Sequence, residues 1–131
     1  MKLPWLLAGA AVVTLAAVLV ARRGDQAASH PDPRPGITAD LVLPPGMLPR
    51  TPGSVEAYAA ARAVPGLLDG VYCHCNCSRT VGHRSLLTCF QSEHAAYCNI
   101  CMGEATIVAR MGQGGSSLRQ IRAAIDKQFG S

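Results

Sequence analysis

The sequence has few aromatic side chains and no long run of basic ones. Trp, Tyr and Phe together make up 5% of the 131 residues, and no basic run is longer than Arg22-Arg23. A nucleic-acid surface needs clustered Lys and Arg, usually with aromatic rings on which bases stack. The net charge of +4 is instead spread thinly along the chain. We therefore predict no nucleic-acid partner.

Residue patterns that are typical of enzymes are also lacking. The sequence shows no Ser/His/Asp arrangement and no paired carboxylates of the kind used in acid–base catalysis. The Gly-rich stretch at 112–117 lacks the Gly-Lys-Ser/Thr ending of a phosphate-binding loop, and no strand pattern precedes it. We expect this stretch to connect two helices. We also expect that the protein is not an enzyme, with thiol exchange as the one alternative considered below.

Cysteine, by contrast, is concentrated in one short stretch. All six cysteines fall within the 29 residues from Cys73 to Cys101, together with three of the four histidines. Glu93 and Glu104 are the only carboxylates near them. Ca²⁺ and Mg²⁺ bind oxygen ligands, so this composition excludes both. Thiolate and imidazole groups bind soft metal ions, and cysteines also form or exchange disulfides.

The region before this stretch divides into an apolar part and a proline-rich part. Residues 3–21 form a 19-residue run without a charge. A helix of that length nearly crosses a ~30 Å hydrocarbon core, so we predict a membrane anchor or signal segment at 1–23, with the uncleaved anchor favoured. Seven of the nine prolines lie in 24–53, which predicts a Pro-rich linker that acts as a spacer, although the apolar patch 41–43 could dock on the domain.

The remaining residues, 54–131, show helical patterns and no convincing strand pattern. Apolar residues recur at helical spacing, which predicts helices over about 54–63, 84–96, 100–111 and 118–129. The predicted fold class is all-α. We expect a small helical domain with a cysteine-rich corner, preceded by the N-terminal membrane helix and the Pro-rich linker.

Cys73, Cys75 and Cys77 alternate along the chain. Alternate side chains lie on one side of an extended segment and converge further if it curls, and Asn76 tolerates the left-handed conformation that a curl needs. Thiolates at this spacing easily share one metal ion, whereas they form poor disulfides because the ring would be small and strained. This spacing therefore favours a metal. His74 is the weakest ligand among the three histidines because its position allows it to point away from the cysteines.

Cys73, Cys75 and Cys77 form one arm of the cluster, and Cys98 and Cys101 form a second arm. Their spacing suits a zinc knuckle or a redox pair, and a helix start at this point would stabilise a thiolate. Cys89 lies between the two arms. His83, Leu87, Phe90 and His94 follow helical spacing, so His83, just before the helix predicted over 84–96, shares one face with His94. The predicted metal ligands are Cys73, Cys75, Cys77, Cys89, Cys98, Cys101, His83 and His94.

The predicted function is soft-metal binding, for sequestration or delivery. We place Cu(I) ahead of Zn²⁺, because Cu(I) accepts two or three sulfurs whereas structural zinc takes four ligands. Six cysteines exceed one tetrahedral site, so either more than one metal binds or some cysteines do other work. Alternatives are a thiol–disulfide redox protein that uses Cys98 and Cys101, a disulfide-stapled interaction module, and iron–sulfur ligation.

Several short segments appear in an order that resembles the prokaryotic PCYCGC-motif family over roughly 54–130. They are Tyr72–Ser78, Gly82-His83, Ser85–Phe90, His94, Cys98–Met102, Glu104-Ala105 and Ile121–Asp126. The family consists of exported, often lipid-anchored proteins of largely unknown function. The resemblance therefore implies a placement on the extracytoplasmic face of the membrane and adds little about mechanism.

The sequence departs from the family pattern at two points. The proline, tyrosine and glycine of the motif are replaced by Tyr72, His74 and Asn76, so only the cysteine skeleton is retained. No cysteine precedes Cys73, so we expect no acylation of the lipoprotein type. Any anchoring would then depend on the apolar segment near the N-terminus.

Overall fold

The computed structural model describes residues 29–130, and within this range all of the regular secondary structure is helical. The α-helices are α1 (Ser54–Ala63), α2 (Pro65–Asp69), α3 (Cys77–Thr80), α4 (Leu86–Cys89), α5 (Asn99–Gln113) and α6 (Leu118–Phe129). Short 3₁₀ helices lie at Ala39–Leu41, Pro45–Met47 and Glu93–Tyr97. The predicted all-α class with a cysteine-rich corner is confirmed for this part of the chain.

The predicted membrane segment at 1–23 lies outside the described residues, so it stays a prediction. Among residues 29–130, no helix has the length and apolar character needed to cross a membrane. The longest of them, α5, has 15 residues, and a spanning helix needs about 20.

The helix α5 packs against both α1 and α6. The buried faces of α1 and α5 are rich in alanine, which lets the two backbones approach closely. The helix α6 begins with a capping box, in which Ser117 and Gln120 satisfy each other's backbone N–H groups. Its two fully buried side chains, Ile121 and Ile125, follow the spacing that the sequence predicts for one apolar face. We call α1, α5 and α6 the helical frame.

The single helix predicted over 84–96 is wrong: α4 ends at Cys89 and a 3₁₀ helix begins at Glu93. Two contacts from elsewhere in the chain occupy carbonyl groups at the break. The Phe90 carbonyl accepts the Leu43 N–H at 2.9 Å, and the Ser92 carbonyl accepts the Tyr58 hydroxyl at 2.6 Å. Long-range hydrogen bonds and the extended backbone at Ser92 therefore override the local helical pattern.

The Pro-rich segment packs on the helices from residue 29 onward, and is not the free spacer that its proline content predicts. Val42 is only 2% exposed, so the apolar patch at 41–43 does dock on the domain. Prolines prevent a helix in this segment, but they do not prevent apolar side chains from reaching the core. The segment is also held by its carbonyl groups, since Arg122 donates to the Pro31 carbonyl at 2.8 Å.

A buried carboxylate fixes the same segment to the end of α2. Asp69 is fully buried and accepts hydrogen bonds from Arg34, Arg84 and Ser85 at 2.7 to 3.2 Å. Burial alone would raise the pKa of Asp69, but the hydrogen bonds from Arg34 outweigh it and lower that pKa. Asp69 therefore stays ionised and holds together the Pro-rich segment, α2 and the start of α4.

Candidate metal centre

The turn from Cys73 to Cys77 curls as the sequence predicts. Asn76 has φ = 67°, the only non-glycine residue with positive φ among those described. A short polar side chain tolerates this left-handed conformation better than most others do. Because the backbone reverses at Asn76, α3 begins at Cys77. Before this reversal, the sulfur of Cys73 lies 3.3 Å from that of Cys75.

His74 holds this turn in place and points away from the sulfurs. Its backbone N–H donates to Oε1 of Glu104 at 3.0 Å, and its ring Nδ1 lies 2.8 Å from the same oxygen. On the other side of the ring, Nε2 lies 3.2 Å from Asp126 Oδ1 but is not aligned for a hydrogen bond. Glu104 is fully buried on α5, and burial raises its pKa. The turn is therefore fastened to the helical frame by a polar contact.

Five cysteine sulfurs converge from the turn, from α4 and from α5. The sulfur of Cys73 lies 3.5 Å from that of Cys101, and the sulfur of Cys77 lies 3.4 Å from that of Cys89. These four residues are at most 3% exposed, whereas Cys75 is half-buried. Residues far apart in sequence therefore form one compact, mostly buried sulfur cluster.

The donor atoms form two overlapping groups of four. One group contains Cys73, Cys75, Cys89 and Cys101, and the other contains Cys75, Cys77, Cys89 and His94; within each group all ligand atoms lie within 4.8 Å of one another. Zinc–sulfur bonds of ~2.3 Å in a tetrahedron place sulfurs ~3.8 Å apart. The observed contacts of 3.3 to 3.5 Å lie close to that spacing. The cluster could therefore hold a metal ion.

Two of the eight predicted ligands lie outside both groups. Cys98 caps α5, because its sulfur accepts the Cys101 backbone N–H at 3.4 Å. His83 contacts the cluster from its edge, with Nδ1 3.3 Å from the Cys89 sulfur. Its ring packs on that of His94 at 4.6 Å between centroids, even though no single helix carries both residues. The role of each of the eight as a ligand stays a prediction.

All six cysteines are free thiols. A disulfide would require the two sulfurs to lie ~2.05 Å apart. In the predicted redox pair, the sulfur of Cys101 faces Cys73, while Cys98 is engaged with a backbone N–H group. The geometry thus brings the sulfurs together as a group of metal donors and does not pair them as covalent links.

The thiols of the cluster differ in acidity. Burial alone would raise the pKa of Cys75, but hydrogen bonds with Cys77, His94 and Cys73 outweigh it and lower that pKa to about 6. Burial, with a hydrogen bond to Cys75, raises the pKa of Cys77 to about 11. The hydrogen bond with Cys101 raises the pKa of Cys73. At neutral pH Cys75 is therefore a thiolate among neutral thiols, and a metal would bind it first and displace protons from the others.

Sequence reasoning did not identify Glu104 and His74 as the residues that position the turn. A signal was present, because Glu104 follows Cys101 by three residues and lies on the same face of α5 as the buried Ala105 and Val108. A lone carboxylate on an apolar helix face predicts a buried polar partner. Which partner it has could not be read from the sequence, since His74 lies 30 residues earlier.

Comparison with known proteins gives one match. No curated protein matches the chain, and no solved structure matches it. A family model described as a protein of unknown function with PCYCGC motif matches residues 26–131. That match includes the described part of the Pro-rich segment, which agrees with its packing on the helices. Since this family model matches most of the sequence, the chain belongs to the PCYCGC-motif family.

Proposed function

We propose that this protein binds a soft metal ion and serves in its sequestration or delivery, with Cu(I) as the first candidate and Zn²⁺ as the second. The observation that carries the proposal is the convergence of five cysteine sulfurs and His94 into two four-donor groups. These donors come from the turn, α4, the 3₁₀ helix at Glu93–Tyr97 and α5, so that only the folded chain brings them together.

The chemistry of the donors supports a soft metal. Thiolate and imidazole groups favour Cu(I) and Zn²⁺, whereas Ca²⁺ and Mg²⁺ need oxygen ligands. The nearest buried carboxylate, Glu104, is already engaged by His74. Cu(I) comes first because two or three sulfurs of either group are enough to bind it. Zn²⁺ comes second and takes four ligands in a tetrahedron, which the four donors of each group also supply.

Delivery is supported by the uneven burial of the cluster. Cys75 and Cys98 are half-buried, while the other four cysteines are buried. A partner's thiolate could approach Cys75 and replace one sulfur at a time, which is how thiolate-bound Cu(I) would pass between proteins without release into water. We place this exchange on the extracytoplasmic side, on the grounds of the apolar run at 3–21 and the family resemblance.

The geometry favours metal binding over thiol exchange through Cys98 and Cys101. A reactive cysteine needs an accessible thiolate. Cys101 is fully buried; its hydrogen bond with Cys73 would lower its pKa, but the hydrogen bond with Cys89 and burial outweigh this and raise it. That combination makes Cys101 a poor nucleophile and leaves Cys98 without a reactive partner.

The test is metal binding by the full chain, purified under reducing conditions and loaded with Cu(I) or Zn²⁺ in competition with a coloured chelator. We expect tight binding by the native chain. In Cys101→Ser we expect a loss of at least roughly 100-fold in the affinity of the four-donor group to which Cys101 belongs, because a direct ligand matters more than an outer contact. The matched control is Cys98→Ser, in the same sequence motif, which should bind almost as tightly as the native chain. A native chain that binds neither metal would overturn the proposal.

A further inference from the structure

Two sulfurs, those of Cys75 and Cys89, belong to both four-donor groups. The remaining members differ: Cys73 and Cys101 occur in one group, and Cys77 and His94 in the other. Two separate tetrahedral sites would need eight donors. Two tetrahedral sites that share two ligands need six, which is the number the two groups contain together.

We propose that the cluster is a two-metal centre, in which the thiolates of Cys75 and Cys89 bridge two soft metal ions. The first ion is completed by Cys73 and Cys101, and the second by Cys77 and His94. This inference rests on the proposed function and deepens it, since it specifies how many ions the same residues hold and how they are shared.

The contacts within the cluster support this division. The two outer ligands of the first ion contact each other, with their sulfurs 3.5 Å apart. Outer ligands of both ions contact a bridging residue: the Cys73 sulfur lies 3.3 Å from that of Cys75, the Cys77 sulfur lies 3.4 Å from that of Cys89, and His94 Nε2 lies 3.9 Å from the Cys75 sulfur. Each pair of outer ligands therefore contacts the shared pair of sulfurs, as bridging requires.

A single ion would leave part of this cluster without a partner. If it occupied the first group, Cys77 would remain 2% exposed with no metal. If it occupied the second, Cys73 and Cys101 would be buried and unused. No hydrogen bond or ion pair from Lys or Arg reaches the six sulfurs in the described part of the chain. Once these thiols lose their protons on loading, the charge of the five thiolates is balanced by the metal ions alone, because isolated buried charges are costly.

The loading step needs no electron transfer. Each incoming ion forms bonds to thiolates, and the protons of the corresponding thiols are released to solvent. The first ion deprotonates Cys89 and orders both Cys75 and Cys89, which the second ion also uses. Binding of the second ion is therefore assisted by the first, and we expect few molecules with a single ion at half-saturation.

The test is native mass spectrometry of the full chain during titration with Zn²⁺, followed by NMR spectroscopy of the chain loaded with ¹¹³Cd²⁺. We expect two ions per chain at saturation and two cadmium resonances, one from four sulfurs and one from three sulfurs and a nitrogen. We also expect scalar coupling between the two cadmium nuclei, because they share bridging sulfurs. A cadmium bound at an independent site would show no such coupling.

Three variants test the two ion positions separately, with one of them as a control. His94→Ala should reduce the stoichiometry from two ions to one and abolish the resonance with the nitrogen ligand. Cys101→Ser should also leave one ion, at the other position. The matched control is Cys98→Ser, which lies outside both groups and should retain two coupled ions. Circular dichroism of each variant checks the fold, and the half-buried His94 offers a substitution that the fold tolerates.

The outcomes separate this inference from the proposed function. One ion per chain at saturation would overturn the two-metal centre and leave soft-metal binding in place. Two ions without cadmium–cadmium coupling would also overturn it, since the bridges would be absent. A chain that binds no ion would overturn both proposals together.

Discussion

The helical frame and the cysteine corner, residues 72–98, are built in different ways. The frame consists largely of helices of 10 to 15 residues, with apolar side chains at regular spacing. The corner contains α3 and α4, each of only 4 residues, which are too short to be stable alone. The corner therefore depends on contacts from outside its own backbone: buried polar groups, the Pro-rich segment and, in our proposal, metal ions.

This difference suggests how the molecule divides its work. Regular packing gives the frame a stability that does not depend on a ligand. The corner places donor atoms on short segments. The positions of these segments are fixed mainly by hydrogen bonds to the carboxylates of Glu104 and Asp69. Such a region can release or exchange an ion by local opening while the frame stays folded.

Metal removal is the change that should separate the two regions most strongly. We expect that a chelator added to the zinc-loaded protein lowers the protection of backbone amides in the corner by at least about 100-fold, because an ion at 100 times its Kd stabilises by about 2.7 kcal/mol. Amides of α6 should keep their protection. Hydrogen exchange monitored by mass spectrometry measures both regions in one sample. Equal loss in the corner and in α6 would show that they unfold as one unit.

The contact between Glu104 and His74 should give an effect of comparable size, because it joins the two regions. Glu104→Ala would leave the backbone N–H and the ring of His74 buried without their acceptor. Each unpaired donor costs 1–3 kcal/mol, so we expect a loss of about 3 kcal/mol in the free energy of unfolding of the metal-free protein. Urea denaturation measures it.

Glu104→Gln is the matched control for that substitution. Its amide oxygen keeps an acceptor for the His74 backbone N–H, so the loss should be about 1 kcal/mol. If Ala and Gln destabilised the protein equally, the contact would stabilise through charge alone and the backbone hydrogen bond would contribute nothing.

Asp69 should give a smaller effect that depends on pH. Asp69→Asn removes the charge that holds Arg34 and Arg84, and we expect a loss of about 2 kcal/mol at neutral pH. The pKa of Asp69 in the folded protein is lowered, so its contribution is complete above the ordinary value of about 3.9 and is lost as pH falls through the lowered pKa. Melting temperatures of both proteins should therefore converge in acid. If the difference in melting temperature stayed constant as pH fell through the lowered pKa, the ionised Asp69 carboxylate would not be the source of the stabilisation.

The two regions also differ in how far the sequence predicts them. The predicted ranges of α1 and α6 match the structure, since apolar spacing and packing agree there. In the corner, the left-handed turn at Asn76 and the gathering of cysteines follow from local chemistry. The break after α4 and the Glu104 contact do not. Each of them depends on a partner that is distant in sequence or on a competing backbone contact, neither of which a local pattern records.

The smallest predicted effect is the difference in stability between glycine and alanine, which has opposite signs in the two regions. At Asn76, where φ is 67°, Asn76→Ala should cost about 1 kcal/mol, whereas Asn76→Gly should change stability by no more than about 0.5 kcal/mol. Glycine is also the residue that the family motif has at this point. In the middle of α6 the order is the opposite: Ala123→Gly should cost about 1 kcal/mol.

Urea denaturation of these three variants, all metal-free, therefore compares the same pair of residues in two backbones. Glycine should be better than alanine in the turn because a Cβ atom strains the left-handed conformation, and worse in the helix because glycine loses more conformational entropy on folding. If alanine were tolerated at residue 76 as well as glycine, the turn would not require the left-handed backbone after which α3 begins at Cys77. The approach of Cys77 to the other sulfurs would then need another cause, because the reversal at Asn76 is the local feature that orients Cys77 relative to Cys73 and Cys75.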